Sequence, residues 1–592
     1  MRAREIVHLS FGGAANHAAT HFWNAQESYF EYGTQAQAPI VEHDVSFREG
    51  LGAGGAATYT PRALLFDVRS AFGALRWHSS LYDAGEMEEE REAWQGDVVH
   101  SHDAVMPSWY AAQLAEEDAG HTPTDKPQGR AIAYWSDYAR VQFHPRSLVP
   151  VSALSLYGST YLNGPHTPFD TFEQGFSVAQ SMEGSDAVLD ENVRWLAEDS
   201  DRMQGFQIVT DASDAFSGFA AAYLGMLQEE YGKVDRLAFA IAQETPQGEG
   251  PRDVYLRRVA AMNGVLTLAM LSESASLLVP LRTHASTAHV RPEYTNPYES
   301  SAVLSTYMET ATLETRLQTR TESLGNMVAA LNWRRDTPFA QLAGCFPTPL
   351  LAPVRKKPDV ADALLQALFA AKNTSYEAPQ HAAAAAQAAQ SLAHVWTDAS
   401  FAYADAYTAK RSAPRVLSTP YAERTMARDA DAMAEKPTLA ALGKRNPANA
   451  PIYVHNFTPL AYPISSAYPQ YFYGLTSDGR PNVNATEKFT QVNSMPTIAS
   501  LRTTPDTLPL LEEARKFVCR VLTGHEPLSM FGLGASGNAR AANEESEGSV
   551  GGRDGLVEIR ETLENWCEAY GGVADEETPG SDEEWEAQAW DV

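Results

Sequence analysis

The run Glu5-Ile6-Val7-His8-Leu9, continued by Phe11-Gly12-Gly13-Ala14-Ala15-Asn16, sets the opening unit of the fold. Glu5 to Leu9 reads as a short strand, the glycine pair as a turn, and the residues from there through Phe30 as helix-compatible. Pro61 to Val68 (PRALLFDV) is a nearly continuous apolar run ending in Asp67 and Val68, the pattern of a parallel strand covered on both faces. Apolar residues recur at helical spacing from Asp186 to Leu196, and Gln204 to Thr210 is the next strand. Asp211 to Phe219 is a turn feeding a helix at Ala220 to Tyr231, followed by a strand at Val234 to Ala242. Tyr255 to Val279 reads as one long helix. Strands alternating with helices predict an α/β fold whose first domain is doubly wound and Rossmann-like.

The domain boundaries follow from where that alternation stops. Residues 1–290 form the first domain, and 85–126, with Glu86, Glu88, Glu89 and Glu90 and weak periodicity, reads as an insertion. Residues 291–531 form a second, α+β domain with strands at Ile452 to Leu460 and Tyr471 to Leu475. An alanine-rich insertion lies near 370–393, where Ala382 to Ala386 have high helix propensity and little area to bury. Residues 532–592 read as an acidic, largely flexible tail in which Leu556 to Tyr570 has helix-forming character.

Composition excludes several classes. The 592 residues are 44% hydrophobic and 10% aromatic, ample for sizeable cores. Acidic side chains outnumber basic ones 75 to 45, giving a net charge of −30. Such a surface repels phosphate backbones, so no direct nucleic-acid partner is expected. From residue 541 onward there are 16 acids against Arg553 and Arg560, so nearly half the excess belongs to the tail. Cys345, Cys519 and Cys567 are too few and too scattered for a disulfide framework, which suits a reducing compartment. No window reaches the ~18 consecutive apolar residues of a membrane span, and the opening Met-Arg-Ala-Arg has no leader pattern. The expectation is a chain on the cytosolic side of membranes, without a transmembrane segment.

Other motifs carry less. Gly532-Leu533-Gly534-Ala535-Ser536-Gly537 has dinucleotide-loop spacing without a βαβ unit behind it, and reads as linker. His17 and His21 share a helix face but lack a third metal ligand, so packing is the expected role. Tyr134, Trp135 and Tyr138 read as packing residues, with His144-Pro145-Arg146 beside them as a candidate partner-binding loop.

Arg4 to Leu9, then Gly12, Asn16, Phe22 and Trp23, resemble the first strand, phosphate loop and helix of tubulins. Pro61-Arg62-Ala63 with Asp67 resembles a second tubulin element, Gln204 to Gln207 with Asp186 and Val188-Leu189-Asp190 a third, and Glu229-Glu230-Tyr231 a fourth. A more specific resemblance is to the divergent tubulin-like Misato and fungal Dml proteins. It is carried by Ala19 to Phe30, Tyr134 to Tyr138 with His144 to Ser147, Asp211 to Phe219, and Ser301 to Leu304. The resemblance implies a tubulin/FtsZ-like fold with a core helix between the domains.

Tubulins hold GTP on backbone amides of glycine turns at helix N-termini, where unpaired N–H groups and the helix dipole face phosphate. Their run of glycines is replaced here by DASDAFSGF at Asp211 to Phe219. Cβ-bearing residues fill positions where glycine permits positive φ or close approach. A carboxylate ~5 Å from a phosphate charge is repelled by roughly 3 kcal/mol at an effective dielectric of ~20. The helix dipole returns only ~0.3 to 2 kcal/mol. Asp211 and Asp214 therefore oppose phosphate, although Ser213 or Asp214 serves equally well as a plain helix cap. Gly13 and Ala15 stand where tubulins carry a glutamine and a glycine, and Arg69 stands where an acid lies near Mg²⁺. Four cofactor-binding remnants survive: Gly12, Asn16, Asp67 and Asn263, the last resembling the guanine-reading asparagine at the start of the core helix. Its later partners are missing from Leu277 to Ser286.

The expectation is a degenerate pocket with no catalytic or metal-ligating residues, no required cofactor and at most weak GTP or GDP binding. The resemblance implies a non-enzymatic role in mitochondrial partitioning and mitochondrial DNA inheritance, at the mitochondrial outer face and in the cytoplasm. Implied partners are mitochondrial outer-face proteins, cytoskeletal tubulin or chaperonin. A second reading is a cytosolic assembly factor that meets tubulin and chaperonin, and a third is an active filament-forming GTPase.

Overall fold

The computed structural model describes residues 4–30, 39–51, 57–73, 110, 132–151, 169–183, 188–245, 248, 250–282, 289–318, 322–332, 334–345, 397–400, 421–429, 452–480, 489–524, 528–533 and 552–571. The expected alanine-rich insertion lies outside these residues, as do the 85–126 insertion apart from Tyr110 and most of the 532–537 glycine motif.

Strand β1 (Ile6–Phe11) leads into helix α1 (Gly13–Glu27). The hairpin β2 (Phe47–Leu51) and β3 (Ala57–Pro61) then bends at Arg62 into β4 (Ala63–Val68). After β5 (Leu148–Val151) come α2 (Phe172–Glu183), a π-turn at Val188–Val193 and the short α3 (Arg194–Glu198). Next are β6 (Gly205–Asp211), α4 (Phe216–Glu230), β7 (Asp235–Ala242), α5 (Pro251–Ser274) and β8 (Leu277–Arg282). These strands form one sheet in the order β5-β4-β1-β6-β7-β8, every neighbouring pair parallel. The chain works outward from β1 in one direction and then in the other, so the order reverses between β1 and β6. Open α/β sheets place ligands at the carboxyl ends of such a pair. Here those ends are Phe11-Gly12 and Thr210-Asp211.

Alternation along β1 explains its two neighbours. Val7, Leu9 and Phe11 join a core with Phe206, Phe219 and Leu266, while His8 on the opposite face meets Phe22 and Trp23 of α1. Helix α6 (Pro297–Thr312) packs on α1 and carries the chain to α7 (Leu324–Leu331) and a second sheet. That sheet contains β9 (Gln341–Cys345), β10 (Thr397–Asp398), β11 (Ala422–Arg428), β12 (Ile452–Thr458) and β15 (Ile498–Thr503), in the order β10-β9-β15-β11-β12. A small pair, β13 (Tyr462–Pro463) with β14 (Ser494–Met495), lies beside it. One core cluster runs from Ala15 and Phe239 through Tyr307 to Leu342 and Leu501, so α6 is buried between the two sheets.

Polar residues complete that junction. Glu309 of α6 accepts hydrogen bonds from Gln26 Nε2 at 3.0 Å and Tyr29 Oη at 2.9 Å and is ion-paired with Arg428 of β11, all buried. One turn on, Glu314 accepts from Arg424 Nε at 2.7 Å and from Asn456. Charges this deep are tolerated only when paired and hydrogen-bonded.

The structure corrects several sequence expectations. Tyr255 to Val279 is not one helix: α5 ends at Ser274 and Leu277–Arg282 is the outermost strand, where Pro280 lacks no needed donor. Tyr471 to Leu475 makes only isolated bridges, Val290 with Phe472 and Tyr473 with Phe489. The C-terminal part does not stay in a second domain or a tail. Helix α8 (Thr507–Leu522) and helix α9 (Gly552–Ala569) return to the first domain and pack on α5. Leu556, Ile559, Leu563, Cys567 and Tyr570 bury one face of α9 in the core under the first sheet. Among the described residues, α5 alone is long and apolar enough to cross a membrane, and 61% of its apolar window is buried within the protein.

Candidate functional site

The four sequence-derived remnants all lie around the carboxyl ends of β1, β4 and β6, and each is engaged by the protein itself. Gly12 caps α1 with φ +95°, a conformation that favours glycine. A Cβ there would lie 2.8 Å from Asp211 Oδ2 and 3.0 Å from Phe216 Cβ. The close approach that glycine permits is thus made by the chain's own carboxylate.

Asp211 Oδ1 accepts from the Ala15 amide at 2.7 Å, and Oδ2 accepts from the Ala14 amide at 3.1 Å and from Gln243 Nε2 at 2.8 Å. Burial, and then the charge of Asp214, push the Asp211 carboxyl well above its ordinary range, while the two amides pull the other way. The first turn of α1 therefore holds a carboxylate where helix N-termini elsewhere hold phosphate. Asp214 Oδ1 accepts from the Phe216 amide at 2.9 Å, but the cap residue of α4 is Ala215, so Asp214 sits one residue before the N-cap and not at it. Ser213 is no cap: its Oγ accepts from the Gln243 amide. Both helix N-termini at the switch point are thus supplied with internal acids.

Asn16 donates to the Phe66 carbonyl and to Asp67 Oδ2, each at 3.0 Å. Asp67 Oδ2 also accepts from Trp135 Nε1 at 2.9 Å, and Oδ1 from the Val68 amide at 2.8 Å. Burial pushes the Asp67 carboxyl up to about 6 against the pull of these three donors. Trp135 belongs to the Tyr134–Tyr138 segment, which lies along α1. The Tyr138 ring is buried against His17, His21 and Tyr298 at centroid distances of 5.8, 4.8 and 4.8 Å. His17 Nδ1 is 2.9 Å from Tyr138 Oη, and His21 Nε2 donates to the Tyr298 carbonyl at 2.8 Å. Both histidines are packing residues, and burial lowers each to about 3. Among the described residues no three His, Cys, Asp or Glu side chains gather to hold a metal.

Asn263 requires a correction. It sits within α5, outside the helix that joins the two sheets, so it is not the start of a core helix; α6 has that place. Its Oδ1 accepts from the Phe172 amide at 2.9 Å, and its Nδ2 donates to the carbonyls of Asp170 at 2.6 Å and Ser213 at 3.0 Å. Its amide group is spent on fixing the start of α2 to the turn after β6. Helix α2 in turn presses on α4 so closely that a Cβ on Gly175 or Gly218 would strike the carbonyl of Ala215 or Phe172. Arg69, read as a charge reversal, is exposed at the rim.

The sequence places Asp211 and Asp214 here, opposed to phosphate or as a helix cap, and marks Trp135 and Tyr138 as packing residues; it does not show that Asp211 fills the turn on the Ala14 and Ala15 amides with Gln243, or that Trp135 holds Asp67. The aromatic-rich Tyr134–Tyr138 segment was the available signal.

Two family models match the chain: a Misato Segment II tubulin-like domain over residues 4–116 and a tubulin domain over residues 124–317. Protein DML1 of Gibberella zeae is 33% identical over 363 residues, covering 60% of this chain and 69% of that protein. Protein dml1 of Aspergillus oryzae is 36% identical over 320 residues, covering 53% and 61%. Protein misato homolog 1 of Danio rerio is 27% identical over 404 residues, covering 59% and 66%. The match spans less than two thirds of most of the fungal relatives' length.

Proposed function

We propose that this chain, which belongs to the Misato/Dml family of tubulin-like proteins, is a non-enzymatic docking protein in mitochondrial partitioning and mitochondrial DNA inheritance. The observation that carries the non-enzymatic half is the Asp211 carboxylate on the Ala14 and Ala15 amides. A triphosphate seated there has to expel a buried acid held by three N–H donors. A neutral buried acid gains about 0.5–1.5 kcal/mol per hydrogen bond, so expulsion costs about 1.5–4.5 kcal/mol. That weakens any nucleotide affinity by roughly ten- to a thousandfold, since each 1.4 kcal/mol is about tenfold. A tubulin-like shape then supplies surfaces rather than turnover.

The organelle half is supported by family membership. The net charge of −30 fits a role in DNA inheritance exercised through proteins, without contact to DNA. The place of action proposed is the mitochondrial outer face and the cytoplasm, with outer-face proteins as partners.

Two measurements test this reading. Protein purified without added nucleotide is expected to release no GTP or GDP on denaturation; stoichiometric nucleotide overturns the self-filled pocket. Depletion is expected to disturb mitochondrial distribution and organellar DNA copy number. Normal mitochondria together with co-purifying chaperonin and tubulin would favour the assembly-factor role instead.

A further inference from the structure

The amino edge of the first sheet, opposite the self-filled pocket, carries a cluster of arginines around one tryptophan. Arg48 of β2 lies over the Trp195 ring at 4.8 Å, Arg146 lies over it at 5.9 Å, and the His144 ring is 4.6 Å away. Guanidinium groups on an indole face are attracted by its quadrupole. The acid inside the cluster is Asp199, shared by Arg48 Nε at 3.0 Å and Arg62 Nη1 at 2.8 Å. Glu198 is turned outward and paired with Arg194. Three arginines against one shared aspartate leave a positive surplus on a chain whose net charge is −30. Arg146 is exposed and carries no ion pair among the described residues. The backbone there is pre-set: the His144 ring accepts the Arg146 amide at 3.1 Å.

The sequence supplies a matching anion. Residues 572–592 hold Asp575, Glu576, Glu577, Asp582, Glu583, Glu584, Glu586 and Asp591, no lysine or arginine, and Trp585 and Trp590. The last described turn places the start of this segment on the same edge. Tyr570 Oη donates to the Phe339 carbonyl at 3.0 Å, and the flanking residues Pro338 and Ala340 pair with Leu278 near the start of β8. Arg62 precedes β4, and His144 and Arg146 precede β5, so the arginine cluster lies at the starts of strands in the same parallel sheet. From β4 to β8 is four strand spacings, ~19 Å. A segment as long as 572–592 spans up to ~70 Å when extended. Tethering within that range gives an effective concentration of order mM, which a free acidic partner at micromolar level does not match.

We propose that the Arg48–Trp195–Arg146 cluster is the docking site of the chain's own acidic C-terminal segment, residues 572–592. The carboxylates pair with Arg146 and the outer face of Arg48, and the tryptophans of the segment offer further faces for the guanidinium groups.

The full-length chain tests this by arginine modification with phenylglyoxal, read residue by residue by mass spectrometry. Arg146 is expected to react at least about fivefold more slowly in the native sequence than in an Asp582→Asn/Glu583→Gln/Glu584→Gln/Glu586→Gln variant, with the exposed Arg194 as internal control. Salt near 1 M, where the screening length is about 3 Å, is expected to abolish the difference. Equal Arg146 reactivity in both chains overturns the proposal. So does protection that appears only when an acidic peptide is added in trans, which assigns the cluster to a partner protein. As an independent readout, Arg146→Glu is expected to speed glutamyl-endopeptidase cleavage within 582–586 by about tenfold; an unchanged rate counts against docking in cis.

Discussion

Asp211 and Ala15 stand 196 residues apart in sequence, and the carboxylate of one sits 2.7 Å from the backbone amide of the other, across the first turn of α1. This contact converts a phosphate-type helix N-terminus into a closed internal junction. Asp211→Ala removes it and leaves the amides of Ala14 and Ala15 buried without an acceptor, at a cost of about 2–5 kcal/mol. The vacated turn regains an anion site, so tens of millimolar inorganic phosphate or sulfate is expected to raise the melting temperature of the variant more than that of the parent. Thermal melts with matched ionic strength measure this. Equal shifts in both proteins mean that the α1 amides are not the anion-binding groups.

The seal beside that junction is steric. Gly218 of α4 faces the Phe172 carbonyl of α2 with no room for a methyl group. Gly218→Ala forces the two helices apart and strains the Asn263 clamp on Phe172, and a loss of about 3 kcal/mol or more is expected by chemical denaturation. Gly225→Ala, further along α4 where nothing lies within 4 Å of an added methyl, is the control and is expected to be neutral or slightly stabilising.

Glu309 of α6, the helix between the two sheets, is paired with Arg428 of the second sheet, both fully buried. Arg428→Met leaves the buried Glu309 carboxylate with Arg316 alone as its counter-charge, 3.5 Å away, and the expected loss is about 3 kcal/mol. Adding Glu309→Gln removes the carboxylate that Arg428 and Arg316 share, so the Arg428 contact is lost only once. The double variant is therefore expected to lose less than the sum of the single losses, by about 1–3 kcal/mol, in a denaturation-based double-mutant cycle. Additive losses would mean that the pair does not couple α6 to the second sheet.

These sites differ in how far the sequence could show them. The β1 turn, β4 ending in Asp67 and Val68, β6 and β7 are short-range patterns, readable because alternation and glycine punctuation act over a few residues. Strand β8 was not readable: Leu277 to Leu281 follows α5 after only Ala275 and Ser276, and a short apolar run suits a helix end as well as a covered strand. Helix α9 had a visible stripe at Leu556, Ile559, Leu563 and Cys567, but the acidic composition around it suggested solvent. Asp211 was placed near phosphate, and Asn263 near the guanine base, by local motif. Their partners Ala14, Ala15, Asp170 and Phe172 come from elements 91 to 197 residues away. Sequence could report that glycines were lost there. It could not report which side chain filled the space.

His21 provides the test by pH. It is buried against Tyr138, Tyr298 and Tyr468. Burial lowers it from 6.5 to about 3, with the Tyr298 carbonyl opposing and His17 adding to the drop. The folded protein therefore keeps it neutral where the unfolded chain takes up a proton. Its contribution is fully present above pH 6.5 and is lost as the pH falls from 6.5 toward 3, at up to about 1.4 kcal/mol per pH unit. Asp67, raised from 3.8 to about 6, acts in the opposite sense, its contribution being lost as the pH rises through 6, so the raw profile is a sum. Comparison with His21→Gln, which keeps a donor for the Tyr298 carbonyl, isolates the histidine. Between pH 6 and 4.5 the variant is expected to lose stability less steeply than the parent, by close to one proton's worth of slope, in urea titrations at each pH. Parallel profiles would place the acid sensitivity in other groups and mean that His21 takes up its proton equally in the folded and the unfolded chain.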